Sequence, residues 1–139
     1  MNRFVLDASV AVSWVAGTPI DPYAVSVQSY VASGWRAIVP SLWQLEVANA
    51  LLMIERRKSL TALDADRGLL DLERFLATSA DVDQSASPMR QLADLARTYQ
   101  LTIYDAVYLG LAKHESLPLA TLDKILRAAA AKAGVALLK

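Results

Sequence analysis

The chain is predicted to fold as an α/β domain in which a parallel sheet is covered by helices on both faces. Two observations carry this prediction. Short apolar runs alternate with longer amphipathic stretches along the whole chain, and helix start and stop signals separate the two kinds of segment. There are no internal repeats, linkers or low-complexity tracts.

The elements follow in order. Phe4 to Leu6 reads as a strand, and Asp7-Ala8-Ser9 after it supplies side chains that accept hydrogen bonds in the first turn of a helix. A second helix covers Tyr23 to Val31 and ends near Gly34; Ala37 to Val39 is a strand stopped by Pro40. Ser41 is expected to cap a helix from Leu42 to about Lys58, whose apolar face is read as Leu42, Leu45, Ala48, Leu52 and Ile54. Thr61-Ala62-Leu63-Asp64 opens a helix to about Leu76 by a capping-box pattern, and the short link predicts a helical hairpin. Ala80 to Asp83 is a strand candidate, and Ser87-Pro88 starts a helix through Tyr99. Thr102 begins a helix ending near Glu115, Pro118 to Thr121 is a short strand, and Asp123 to Ala133 is helical up to Gly134, before Val135 to Leu138.

At 139 residues, with 55% in the hydrophobic class, the length suits one domain, residues 1–139, with a full core. That apolar share also points to self-association. The absence of cysteine excludes disulfides, thiolate metal sites and cysteine nucleophiles, and it fits a cytoplasmic protein. No apolar run is long enough to cross a bilayer, so no membrane partner is expected. A formal net charge of zero argues against nonspecific coating of nucleic acid. Charge is nonetheless uneven: Asp64 to Asp83 holds six acids against two arginines, whereas Lys113 to Lys139 holds five bases against two acids.

Four acids stand in apolar surroundings: Asp7 in FVLDASVAV, Glu46 in LWQLEVANALL, Asp105 in TIYDAVYLGLA and Asp123 in LATLDKIL. A carboxylate placed so costs several kcal/mol of solvation without a partner, and no Lys or Arg lies within three residues of Glu46 or Asp105. Each acid also has a local explanation. Asp7 and Asp123 suit helix N-caps, Glu46 suits a helix N-terminus, and Thr102 with Asp105 fits a capping box. Two of the acids follow separate strands and two lie in the first turns of separate helices, all on one predicted rim of the sheet, where parallel sheets place ligand crevices. Oxygen donors gathered in this way suit a hard cation such as Mg²⁺ or Mn²⁺.

The motifs VLDASVAVSW, LWQLEVANAL, TIYDAVYLGLA and LATLDKILRAAA, spread in this order from Phe4 to Ala130, resemble those of the PIN-domain ribonucleases and, within them, VapC-type toxins. The resemblance implies a three-layer α/β/α sandwich and a catalytic and metal-binding set of Asp7, Glu46, Asp105 and Asp123 that holds Mg²⁺ or Mn²⁺. Ser9 and Thr121 fall at the positions of hydroxyls that orient the carboxylates, and Asn49 at that of a polar residue after the helix glutamate. The implied activity is hydrolysis of RNA phosphodiester bonds without a nucleophilic side chain.

It further implies a homodimer and a small cognate antitoxin, with the Leu42 to Leu76 hairpin as candidate contact surface. Many relatives carry a further acid soon after the first-helix tryptophan, whereas Trp14 is followed here by Val15-Ala16-Gly17-Thr18. The only histidine, His114, lies near a helix end and reads as a surface residue, which argues against a two-histidine acid-base ribonuclease. The competing expectations are a catalytically silent PIN-like module that binds RNA or protein, and a phosphoacceptor receiver. The receiver fits poorly because paired acids after the first strand are missing.

Overall fold

The computed structural model describes residues 2–85 and 87–139. Its elements run β1 (Arg3–Leu6), α1 (Ala8–Ala16), α2 (Pro22–Ala32), β2 (Arg36–Pro40), α3 (Leu42–Arg56), α4 (Ala62–Ser79), β3 (Ala80–Asp83), α5 (Met89–Tyr99), α6 (Ile103–Glu115), β4 (Leu119–Ala120) and α7 (Lys124–Ala133). The strands form one sheet in the order β3-β2-β1-β4, and every pairing is parallel. The predicted α/β class and parallel sheet are therefore those observed.

β1 lies inside the sheet, with Val5 opposite Ile38 of β2 on one side and Leu119 of β4 on the other. Phe4, Val5 and Leu6 have no exposed surface. Successive strand residues point to opposite faces, so burial of all three means that both faces are covered. Helices α1 to α4 pack among themselves, while α5 to α7 form a second group in which α6 lies against β1, β2 and β4. The Val135 to Leu138 segment contributes a single parallel bridge, Leu137 beside Leu119.

Local signals act largely as read. Thr61 Oγ1 accepts from the Asp64 amide at 3.1 Å, and Gly134 closes α7 with φ of 74°, a backbone region that costs glycine least. Gly68 has a different reason: a Cβ there would lie 3.2 Å from Val15 and 3.4 Å from Leu51, where α4 packs against α1 and α3.

Three local expectations need correction. Ser41 has helical φ and ψ and makes no side-chain cap bond, so it does not cap α3. Pro88 is the N-cap of α5, not its first helical residue. The buried face of α3 is Trp43, Val47 and Leu51, one helical stripe away from the expected one; Leu45 is 75% exposed and Leu52 40%. Trp43 decides this rotation because it is the largest fully buried side chain, with its ring centroid 6.1 Å from that of Phe75 on α4.

Candidate active site

The carboxyl ends of β1 and β4 meet through their register. The Asp7 amide donates to the Ala120 carbonyl at 2.9 Å, which brings Asp7 beside Thr121. Asp7 is 6% exposed and Thr121 is fully buried. Thr121 Oγ1 donates to Asp7 Oδ2 at 2.8 Å and accepts from the Asp123 amide at 3.0 Å. Ser9 Oγ donates to the same Asp7 Oδ2 at 2.5 Å and accepts from the Leu122 amide at 3.0 Å. Each hydroxyl thus gives its one proton to Asp7 while tying down the β4–α7 turn.

Asp7 and Asp123 are both helix caps, as their local sequence predicts. Asp7 caps α1 by accepting the Ser9 amide on Oδ2, and Asp123 caps α7 by accepting the Ile125 and Leu126 amides on Oδ1, at 2.8 and 3.0 Å. A carboxylate has two oxygens, and in both residues the hydrogen bonds among the described residues reach only one. Asp105 shows half of the expected capping box: its amide donates to Thr102 Oγ1 at 3.1 Å, but its carboxylate accepts no return bond from the Thr102 amide among the described residues. Glu46, the fifth residue of α3, falls just past the first turn in which it was expected. Its Oε1 accepts from Tyr108 Oη at 2.5 Å.

Tyr108 is the site residue that sequence reasoning missed. It lies three residues after Asp105 on α6, so a single helix face carries both, and that spacing was the available signal. Burial first, and then Glu46, push its phenol far above the usual tyrosine range, so it stays a neutral donor.

The electrostatics link the four acids. Asp105 is pushed up to about 6, mainly by burial and then by Asp123 and Asp7. Glu46 is raised by burial and, more weakly, by Asp7 and Asp105, against the lowering effect of the Tyr108 bond. Asp7 is raised by burial, opposed by Ser9 and Thr121, with Asp123 adding to the rise. Among the described residues none of the four pairs with Lys or Arg. Nor do three of them come close enough to enclose an ion as they stand. Such spacing is what uncompensated like charges favour. The donors nevertheless fit a hard divalent cation: they are all carboxylate oxygens, and Asp105 is half-buried with no Lys or Arg paired to it among the described residues.

Two further residues singled out in the sequence lie at the surface. Asn49 is exposed on α3. His114 is exposed and lines a cleft of about 1050 Å³ between α5, α6 and the start of α3, and none of the four acids lines that cleft. We place the candidate site at the acids and not in this larger space, because among the described residues the acids combine burial, mutual coupling and missing countercharge.

The fold is that of an α/β protein with a parallel sheet, and Asp7 and Asp123 follow the carboxyl ends of β1 and β4. The PIN domain family matches residues 4–132, and the chain belongs to that family. Among solved structures it is similar to PAE2754 from Pyrobaculum aerophilum, with 24% identity, covering 92% of this chain and 84% of that one, at a TM-score of 0.68. It is also similar to VapBC2 from Rickettsia felis, solved bound to a DNA fragment from their promoter, with 14% identity, 98% and 97% coverage and a TM-score of 0.65. At these identities the structural matches show a shared fold. No curated protein sequence matches the chain. Among the described residues no helix is long and apolar enough to cross a membrane.

Proposed function

We propose that the protein is a divalent-metal-dependent endoribonuclease and the toxin of a type II toxin–antitoxin pair. The observation that carries this reading is the mutual electrostatic influence of Asp7, Glu46, Asp105 and Asp123, which come from four separate parts of the chain and pair with no Lys or Arg among the described residues. These four carboxylates would hold Mg²⁺ or Mn²⁺. Bound there, the ion supplies Lewis acidity, making an attacking water more acidic and offsetting charge that develops on the phosphate.

The remaining work belongs to the chain. Ser9 and Thr121 fix the orientation of Asp7, the Ile125 and Leu126 amides fix Asp123, and Tyr108 fixes Glu46. The proton of Tyr108 stays on its oxygen, so the tyrosine orients Glu46 and takes no part as a base. With the only histidine exposed and apart from the acids, water attack fits better than transfer through the RNA 2′-hydroxyl.

For partners, the shared fold with VapBC2 supports a small antitoxin, and the α3–α4 hairpin is the surface we assign to it. Leu45, Leu52, Leu63 and Leu70 are exposed there, which is apolar area a partner or a second copy would cover. Incubation of the purified protein with single-stranded RNA and Mg²⁺ should give products with 5′-phosphate and 3′-hydroxyl ends. Cleavage should vanish with chelator and in Asp7→Asn. Cleavage retained in Asp7→Asn and Asp105→Asn, or 2′,3′-cyclic phosphate ends, would sink the reading.

A further inference from the structure

The β4–α7 turn, which carries Thr121 and Asp123, is held from its far side by a residue that touches none of the acids' carboxylates. Along one edge of β4, Leu119 pairs with the C-terminal segment: its amide donates to the Ala136 carbonyl, and its carbonyl accepts from the Leu138 amide, both at 2.9 Å. Thr121 lies two residues farther along the same edge. Its carbonyl instead accepts from Arg127 Nη1 at 2.7 Å. The guanidinium also lies over the ring of Tyr23, 4.7 Å from the centroid, and Tyr23 Oη donates to the Leu138 carbonyl at 2.7 Å. Helix α2, the C-terminal segment and α7 therefore meet on the one residue whose hydroxyl bonds Asp7 and accepts the amide of Asp123.

We infer that Arg127 is a positioning residue: stacked on Tyr23 and bonded to the Thr121 carbonyl, it sets the β4–α7 turn so that Asp7 and Asp123 face a common site. The inference rests on the reading of the acids as a ligand set. Arg127 influences the ionisation of Tyr23 but is not among the groups that shift Asp7, Glu46 or Asp105. Its contribution is thus geometric and not the neutralisation of those three acids. A flat guanidinium can stack on a ring and donate in its own plane at the same time, which an ammonium cannot reproduce.

The test compares the full-length wild type with Arg127→Met and Arg127→Lys. Amide hydrogen exchange at Leu122 and Asp123 should speed up roughly five- to tenfold in Arg127→Met, the loss of about one net hydrogen bond, while amides of α5 stay at wild-type rates. Calorimetric affinity for Mn²⁺ alone, and kcat on RNA, should each fall about tenfold, with KM near the wild-type value. Millimolar guanidinium should restore part of kcat in Arg127→Met and none in wild type. Arg127→Lys keeps charge and most of the volume, so it serves if Arg127→Met does not fold, and it should show the same local loss. Unchanged exchange and unchanged Mn²⁺ affinity would overturn the inference, as would a uniform rise in exchange over the whole chain, which marks general destabilisation. If the wild type neither binds Mn²⁺ nor cuts RNA, the ribonuclease reading fails, and the exchange rates still decide whether Arg127 sets the turn.

Discussion

Two aspartates on the same sheet are treated in opposite ways. Asp81 in β3 is exposed and receives Arg36 of β2, at 2.7 Å from Nη2 and 3.3 Å from Nε, while the same guanidinium also reaches the Thr78 and Ala80 carbonyls. The hydrogen bond from Arg36 holds the Asp81 carboxyl below its usual range. Asp7 at the end of β1 is buried, has no cationic partner among the described residues and is pushed upward by burial. Where the sheet needs an edge fastened, the acid has a countercharge; at the carboxyl ends of β1 and β4, acids are kept against their own electrostatics by hydroxyls and amides. A fold that sustains such a cluster invites a functional reason for it.

The contrast can be broken most severely at Thr121. Thr121→Val keeps the shape but removes the hydroxyl that bonds Asp7 and accepts the amide of Asp123. RNA cleavage should fall about 10- to 100-fold, and chemical denaturation should show a loss of roughly 1–3 kcal/mol from the groups left unpaired. Tyr108→Phe comes next: Glu46 loses the bond that holds its pKa down, so steady-state cleavage should drop about tenfold at pH 6, and the loss should shrink as pH rises. A loss that grew with pH would contradict this assignment.

A smaller effect follows from Asp105, whose carboxyl is raised from 3.8 to about 6. Between those values the folded state binds more protons than the unfolded chain, so this group's stabilising contribution is full below the lower value and is lost as pH rises through the upper one. Thermal melts in chelator should therefore fall from pH 4 to pH 7 more steeply in wild type than in Asp105→Asn; parallel curves would refute the shift. Smallest of all, Asp81→Asn should leave cleavage unchanged, since its ion pair fastens a sheet edge outside the acid cluster.

How much of this could be read in advance depends on which interactions are local. Asp7, Asp123 and Thr102 with Asp105 lie next to the strand ends or helix starts that they serve, so their sequence neighbours reveal their positions. What the neighbours could not reveal is that each cap uses one carboxylate oxygen, which leaves the other for the proposed cation. Tyr108 with Glu46, and Arg127 with Tyr23, join residues far apart in the chain, and only packing brings them together. The buried stripe of α3 was misplaced for a related reason: several stripes of LWQLEVANALLMIER are apolar, and the pocket that takes Trp43 selects among them.

The central claim is that the four acids form one cation site, and calorimetric titration of Mn²⁺ into metal-free protein tests it most directly. Binding should be saturable at pH 7, weaker at pH 5, where Asp105 takes up a proton, and largely lost in Asp105→Asn and Asp7→Asn. Absence of binding in the wild type, or equal affinity in all three proteins, would contradict the account.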